Sequence, residues 1–152
     1  MSIGKTEPEY LRTGISMYAD RLRHYIPFEI KEIDAVKKTA GMSADFIKEK
    51  ESALIMRHLT KTHCVVLLDE SGQQHTSREF AGFMQSRLNS GIRELAFVIG
   101  GAWGFANELE KRANFKISLS KMTFSHQIVR LLFSEQLYRA FTILKGESYH
   151  ND

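Results

Sequence analysis

A single cysteine, Cys64, stands in a chain of 152 residues. One thiol makes neither an internal disulfide framework nor a cysteine-based zinc site. It lies in the apolar run Cys64-Val65-Val66-Leu67-Leu68, the setting of a core thiol rather than of a nucleophile. The six histidines, His24, His58, His63, His75, His126 and His150, form no HxH or HExxH pattern, so no metal is expected. No secretory leader, apolar span of membrane length or low-complexity tract occurs, which predicts a cytoplasmic protein with no membrane partner. Charge of one sign is scarce too: 21 Lys and Arg against 18 Asp and Glu leave a net +3. That bias fits plain solubility as well as it fits RNA binding. The length suits one domain over residues 1–152, large enough to bury a core.

What is present alternates between two periods. Leu11, Ile15, Tyr18 and Leu22 share one face of a helix predicted over Glu7 to His24, stopped by Pro27. "FEIKEI" (28–33) has strand character, and a charged loop with Gly41 follows. A second helix starts behind Ser43 and is expected to turn Phe46, Ile47, Leu54 and Leu59 inward. "HCVVLLD" (63–69) reads as a parallel strand covered on both faces, and "ESGQQ" as a turn. Thr76 and Glu79 make a capping box for a helix carrying Phe80, Met84 and Leu88, which Gly91 closes. "ELAFVI" (94–99) is the next strand, then a short helix from Ala106 to Ala113, then "FKISLS" (115–120) as a strand. Ser125 caps a last helix that runs to Gly146. This order predicts an α/β fold, a mainly parallel sheet with helices on both faces. Apolar residues on nearly every side of the last helix point to a dimer interface, unless the helix is buried within one chain.

The strand "ELAFVI" runs into Gly100-Gly101-Ala102-Trp103-Gly104. The spacing is not GxGxxG, and no Lys-Ser or Lys-Thr follows to make a phosphate loop. No acidic residue ends the next strand to hold a ribose. Glycines at the carboxyl end of a parallel strand leave two readings: a ligand pocket lined by backbone, or a tight turn.

The stretch "SLSKMTFSHQIVRLLFSEQLYRAF" (118–141), with "GESYH" (146–150), "FVIGGAWGF" (97–105) and "VLLDESGQ" (66–73), resembles the RlmH family of SPOUT methyltransferases. "GKT" and the Tyr18, Arg21 and Leu22 of the first helix fit as well, so the resemblance covers essentially the whole chain. It implies a C-terminal trefoil knot and an enzyme that uses S-adenosyl-L-methionine to methylate N3 of a pseudouridine in 23S rRNA. It also implies a homodimer in which the partner subunit completes the site. The methyl-donor positions carried over are Leu68, Gly100, Leu119, Ser120, Lys121, Met122, Thr123 and Phe124. In one place the chain departs. Family members open with several apolar residues before the Gly-Lys element, whereas Met1-Ser2-Ile3 precede Gly4-Lys5 here. The first strand is therefore very short, or the chain is recorded from a late start.

The donor carries a carboxylate, an adenine and a sulfonium but no phosphate, which suits a pocket without a cationic cradle. Transfer to an imide nitrogen needs in-line positioning and removal of one proton. His126, Arg130, Arg139, Tyr149 and His150 are the candidates, and none of them is singled out as the base. His126 has a structural hydrogen bond as its rival role, and Arg130 and Arg139 have ion pairs. For Trp103, covering the cofactor, stacking a base and ordinary packing all stay open. A domain this small and weakly charged is expected to need the large subunit or 70S ribosome to present its target. The alternative is a catalytically silent RNA- or ribosome-binding dimer that keeps the knot.

Overall fold

A computed structural model describes residues 1–149, and His150 lies outside them. The strands are β1 (Ser2–Ile3), β2 (Glu32–Ile33), β3 (His63–Gln74), β4 (Glu94–Ile99) and β5 (Phe115–Ser118). The helices are α1 (Glu9–Leu22), α2 (Ala44–His58), α3 (Ser77–Asn89), α4 (Asn107–Arg112) and α5 (His126–Lys145). The sheet has the order β2-β1-β4-β3-β5, and every pairing is parallel. Strict alternation along β3 divides the core. Val66 and Leu68 face Phe80, Phe97, Phe133 and Leu137, under α1, α3 and α5. Val65 and Leu67 face Ile3, Ile55, Val98 and Leu109, under α2 and α4. A strand with both faces covered has to be apolar throughout, as 64–68 is.

The helix ends follow the local chemistry expected of them. Ser43 accepts the Phe46 N–H and Ser125 the Ile128 N–H. Thr76 and Glu79 complete a capping box. Gly91 and Gly146 take left-handed backbone where α3 and α5 stop. Several expectations are corrected. Only Glu32 and Ile33 of "FEIKEI" form a strand, because β1, its neighbour, offers two residues to pair with. Phe46 is exposed, and the inward face of α2 is Ile47, Glu51, Ser52 and Ile55. Leu88 is exposed as well. Of the apolar residues of α5, Phe133, Leu137 and Phe141 are buried within the chain, Leu131 packs so closely on α1 that a Cβ at Gly14 would lie 2.8 Å from its Cδ1, Leu132, Ile143 and Leu144 are half-buried, and Ile128 is exposed.

The largest correction concerns "ESGQQ". It is not a simple turn but the last part of β3. Leu68 pairs with Ile117, the chain arches out over 69–72, and Gln73 then pairs with the same Ile117 and Gln74 with Ser118. Gly72 rests on the β5 backbone: a Cβ there would stand 2.6 Å from both N and C of Ile117. Only hydrogen fits in that space. Gly72→Ala is expected to cost about 3 kcal/mol or more, since neither backbone can yield. Urea unfolding checks it, and a loss under about 1 kcal/mol would show that the arch can lift from β5.

Candidate active site

Three parallel strands end side by side, and the segments that leave them converge. The arch after Leu68, the glycine loop after Ile99 and the loop after Ser118 enclose one cavity of about 750 Å³. This is the carboxyl edge of the sheet, where open α/β folds bind ligands. Leu68, Gly100, Leu119, Ser120, Met122, Thr123, Phe124 and His126 all line it. Lys121 is exposed and is not part of the lining. Sequence reasoning passed over Asp69, Glu70, Ser71, Phe105, Ile117 and Val129, which also line the cavity. Asp69 ends the stretch read as a strand, and Glu70 and Ser71 sit in the stretch read as a turn, although "VLLDESGQ" had carried part of the resemblance.

Short polar contacts shape each wall. Ser118 Oγ donates to the Ser120 carbonyl at 2.8 Å, and Ser120 Oγ accepts the Met122 N–H at 2.9 Å. Thr123 Oγ1 donates to Glu70 Oε2 at 3.2 Å, which ties the last loop to the arch. In the glycine loop, Gly104 has φ +73° and donates its N–H to the Gly101 carbonyl at 3.3 Å. A Cβ on Gly100 would come within 3.1 Å of the Phe105 ring. The glycines therefore form a tight turn and a pocket wall at once.

The lining suits a cationic, phosphate-free ligand. Lys48 is its one lysine, and it is paired with Asp45 at 2.8 Å. Asp69, Glu70 and Glu110 add carboxylates, and Glu110 is paired with Lys116 at 2.6 Å. Met122, Trp103 and Phe124 are exposed, Met122 by 72% of its surface, and make an apolar rim. Lys38 lies 5.7 Å from the Trp103 ring centre. Among the described residues no cluster of three or more His, Cys, Asp or Glu is arranged to hold a metal, and no helix is long and apolar enough to cross a membrane.

The remaining candidates separate. Arg130 is a buried tether: its guanidinium donates to the Gly4 carbonyl and to Thr6 Oγ1, each at 2.9 Å, and to the Ile3 carbonyl. Glu32 completes it at 3.5 Å, so the ion pair held as its rival role is the one the structure shows. Arg139 is bound instead to Glu135 at 2.6 Å and lies 4.8 Å over the Tyr149 ring. Tyr149 hydroxyl donates to Glu135 and meets Tyr18 hydroxyl, both at 3.2 Å. Burial and these partners push the Tyr149 phenol above its ordinary value. Arg139 of this cluster sits roughly 20 Å along α5 from His126, at 1.5 Å per residue. Within one chain it does not reach the cavity.

A backbone-lined pocket at the arched carboxyl edge of a parallel sheet, with no phosphate cradle, agrees with the resemblance to the knotted α/β methyltransferases that the sequence carries. The family model described as "Predicted SPOUT methyltransferase" matches residues 1–150, and the chain belongs to that family. It is similar to proteins named ribosomal RNA large subunit methyltransferase H. That of Christiangramia forsetii is 54% identical over 149 residues, 98% of this chain and 95% of that protein. That of Cytophaga hutchinsonii is 51% identical over 150 residues, 99% and 96% of the two chains. That of Geotalea uraniireducens is 43% identical over 149 residues, 98% and 95%. Membership implies a knotted fold.

Burial, and then the Arg130 charge, push the His126 imidazole below its ordinary value, with Glu7 opposing them weakly. The unfolded chain therefore takes up that proton more readily than the folded one. Stability is expected to fall as pH drops through the ordinary histidine range, about 6.5, and to level off below the folded value. In His126→Gln the melting temperature should depend less on pH between about 7 and 5. An unchanged slope would show that His126 is not desolvated.

Proposed function

We propose that the protein is an S-adenosyl-L-methionine-dependent methyltransferase acting on N3 of a pseudouridine in 23S rRNA, presented by the large subunit or 70S ribosome in the cytoplasm. The observation that carries this reading is the convergence of 68–71, 99–105 and 117–126 on one cavity. When bound, the donor supplies a methyl group already activated on a sulfonium. The chain has to bind, orient and handle one proton. Backbone groups of the glycine loop and of 119–124 read the adenine edge, with Leu68, Ile99 and Ile117 as an apolar floor. Asp69 and Glu70 favour the positive sulfonium.

The acceptor nitrogen must shed its proton at or before attack. His126, held neutral at the cavity wall, and the Arg139–Glu135–Tyr149 cluster are the groups suited to take that proton or to stabilise the imide anion. Since the cluster is remote in its own chain, it acts in the cavity of a second copy in a homodimer. The exposed apolar side chains of Met122, Phe124 and Ile128, beside the start of α5, support such pairing.

Methyl transfer to ribosomes lacking the modification, with rRNA nucleosides identified by mass spectrometry, is expected to yield N3-methylpseudouridine. Donor binding without any methylated nucleoside would instead support a silent RNA-binding dimer. Equal turnover on a naked stem-loop would overturn the need for the ribosome. Arg139→Ala should lower turnover by at least ~100-fold, the range for losing a charge-stabilising donor, with donor affinity unchanged. A parallel loss of donor affinity would place Arg139 in the cofactor site instead.

A further inference from the structure

Glu51 and Ser52 are consecutive residues of α2 and are 5% and 3% exposed. Ser52 Oγ accepts the Ala106 N–H at 2.8 Å and so pins the far end of the glycine loop. Glu51 reaches the near end. The nearby Val36 backbone N–H favours the charged form of its carboxyl, and Oε2 has no partner among the described residues. That oxygen lies against Gly101, where an added Cβ would stand 3.2 Å from Glu51 Cδ and closer still to Oε2. Burial raises the carboxyl above its ordinary value. Gly101 lines the cavity, so an unsatisfied acceptor sits directly behind the wall that the ligand touches. A buried oxygen left without a donor is costly, and its persistence calls for a state in which it is used.

We propose that Glu51 is a positioning residue for the glycine loop: its unpartnered oxygen receives a backbone N–H of residues 101–103 when the methyl donor fills the cavity, while the carboxyl stays beside Val36. The proposal rests on reading the cavity as the donor site. It gives a reason for glycine at 101 besides turn geometry, since any side chain there would displace the acceptor. It also joins the 34–42 loop to the same event, because Val36 and Lys38 meet Glu51 and Trp103 respectively.

Glu51→Gln keeps the shape and a carbonyl beside Val36 but turns an amide N–H₂ toward Gly101. Titration calorimetry with S-adenosyl-L-methionine is expected to show about tenfold weaker binding, the loss of one hydrogen bond to a charged acceptor. The donor KM should rise in parallel, with kcat at saturating donor within about threefold and the melting temperature not lowered. Affinity within about twofold of the parent, or a lowered melting temperature with unchanged affinity, would overturn the role and leave the site reading intact. Failure of the parent itself to bind the donor would overturn the reading beneath it. Hydrogen exchange on the parent gives a check without mutation. The amides of 101–103 should gain protection when the donor binds, and unchanged exchange there would overturn the proposal.

Discussion

The contact of Gly72 with the Ile117 backbone is the constraint on which the rest of the site depends. Two stretches of main chain, far apart in sequence, pass each other with no side chain between them. Because the arch rejoins β5 at the residue it left, the carboxylates of 69 and 70 come to lie beside 118–124. Thr123 and Glu70 then close the wall by a hydrogen bond. A side chain at 72 would hold these segments apart and open the cavity. Close passage of backbone against backbone is also what a knotted crossing demands, and glycine is the residue that permits it.

A second layer of support comes from buried polar groups. Arg130 ties the first half of α5 to the carboxyl end of β1 through three hydrogen bonds and Glu32. Such a group is expensive to bury, and removing one partner would leave the others stranded. It also depresses His126 at the edge of the cavity. A residue that resembles a catalytic cation in the sequence therefore acts on the site only through position and charge. Across the sheet, Ser52 and Glu51 grip the glycine loop from behind. The cavity is thus held from both faces of the sheet by α2 and α5, neither of which supplies most of its wall.

Much of this was legible in the chain. Local chemistry sets the caps at Ser43, Thr76 and Ser125, the stops at Gly91 and Gly146, and the span of β4, because each depends on residues within a few positions. The resemblance named the loops that line the cavity, Lys121 apart, since those motifs are long and continuous. Phe46 and Leu88 misled because helical periodicity states which residues share a face, not which face meets the sheet. "ESGQQ" misled because a turn and an arch over a distant strand have the same composition.

By itself the sequence determined the α/β order, the two-sided burial of residues 64–68 and the family, all of which follow from short-range pattern and continuous motifs. Only the tertiary structure decided that Arg130 is a tether, that Glu51 Oε2 has no partner among the described residues behind Gly101, and that Arg139 lies about 15 Å along α5 from Val129, the nearest lining residue of that helix in its own chain. Those facts depend on which distant segments share a boundary. Pairing across more than a hundred residues leaves no periodic mark in the chain that makes it.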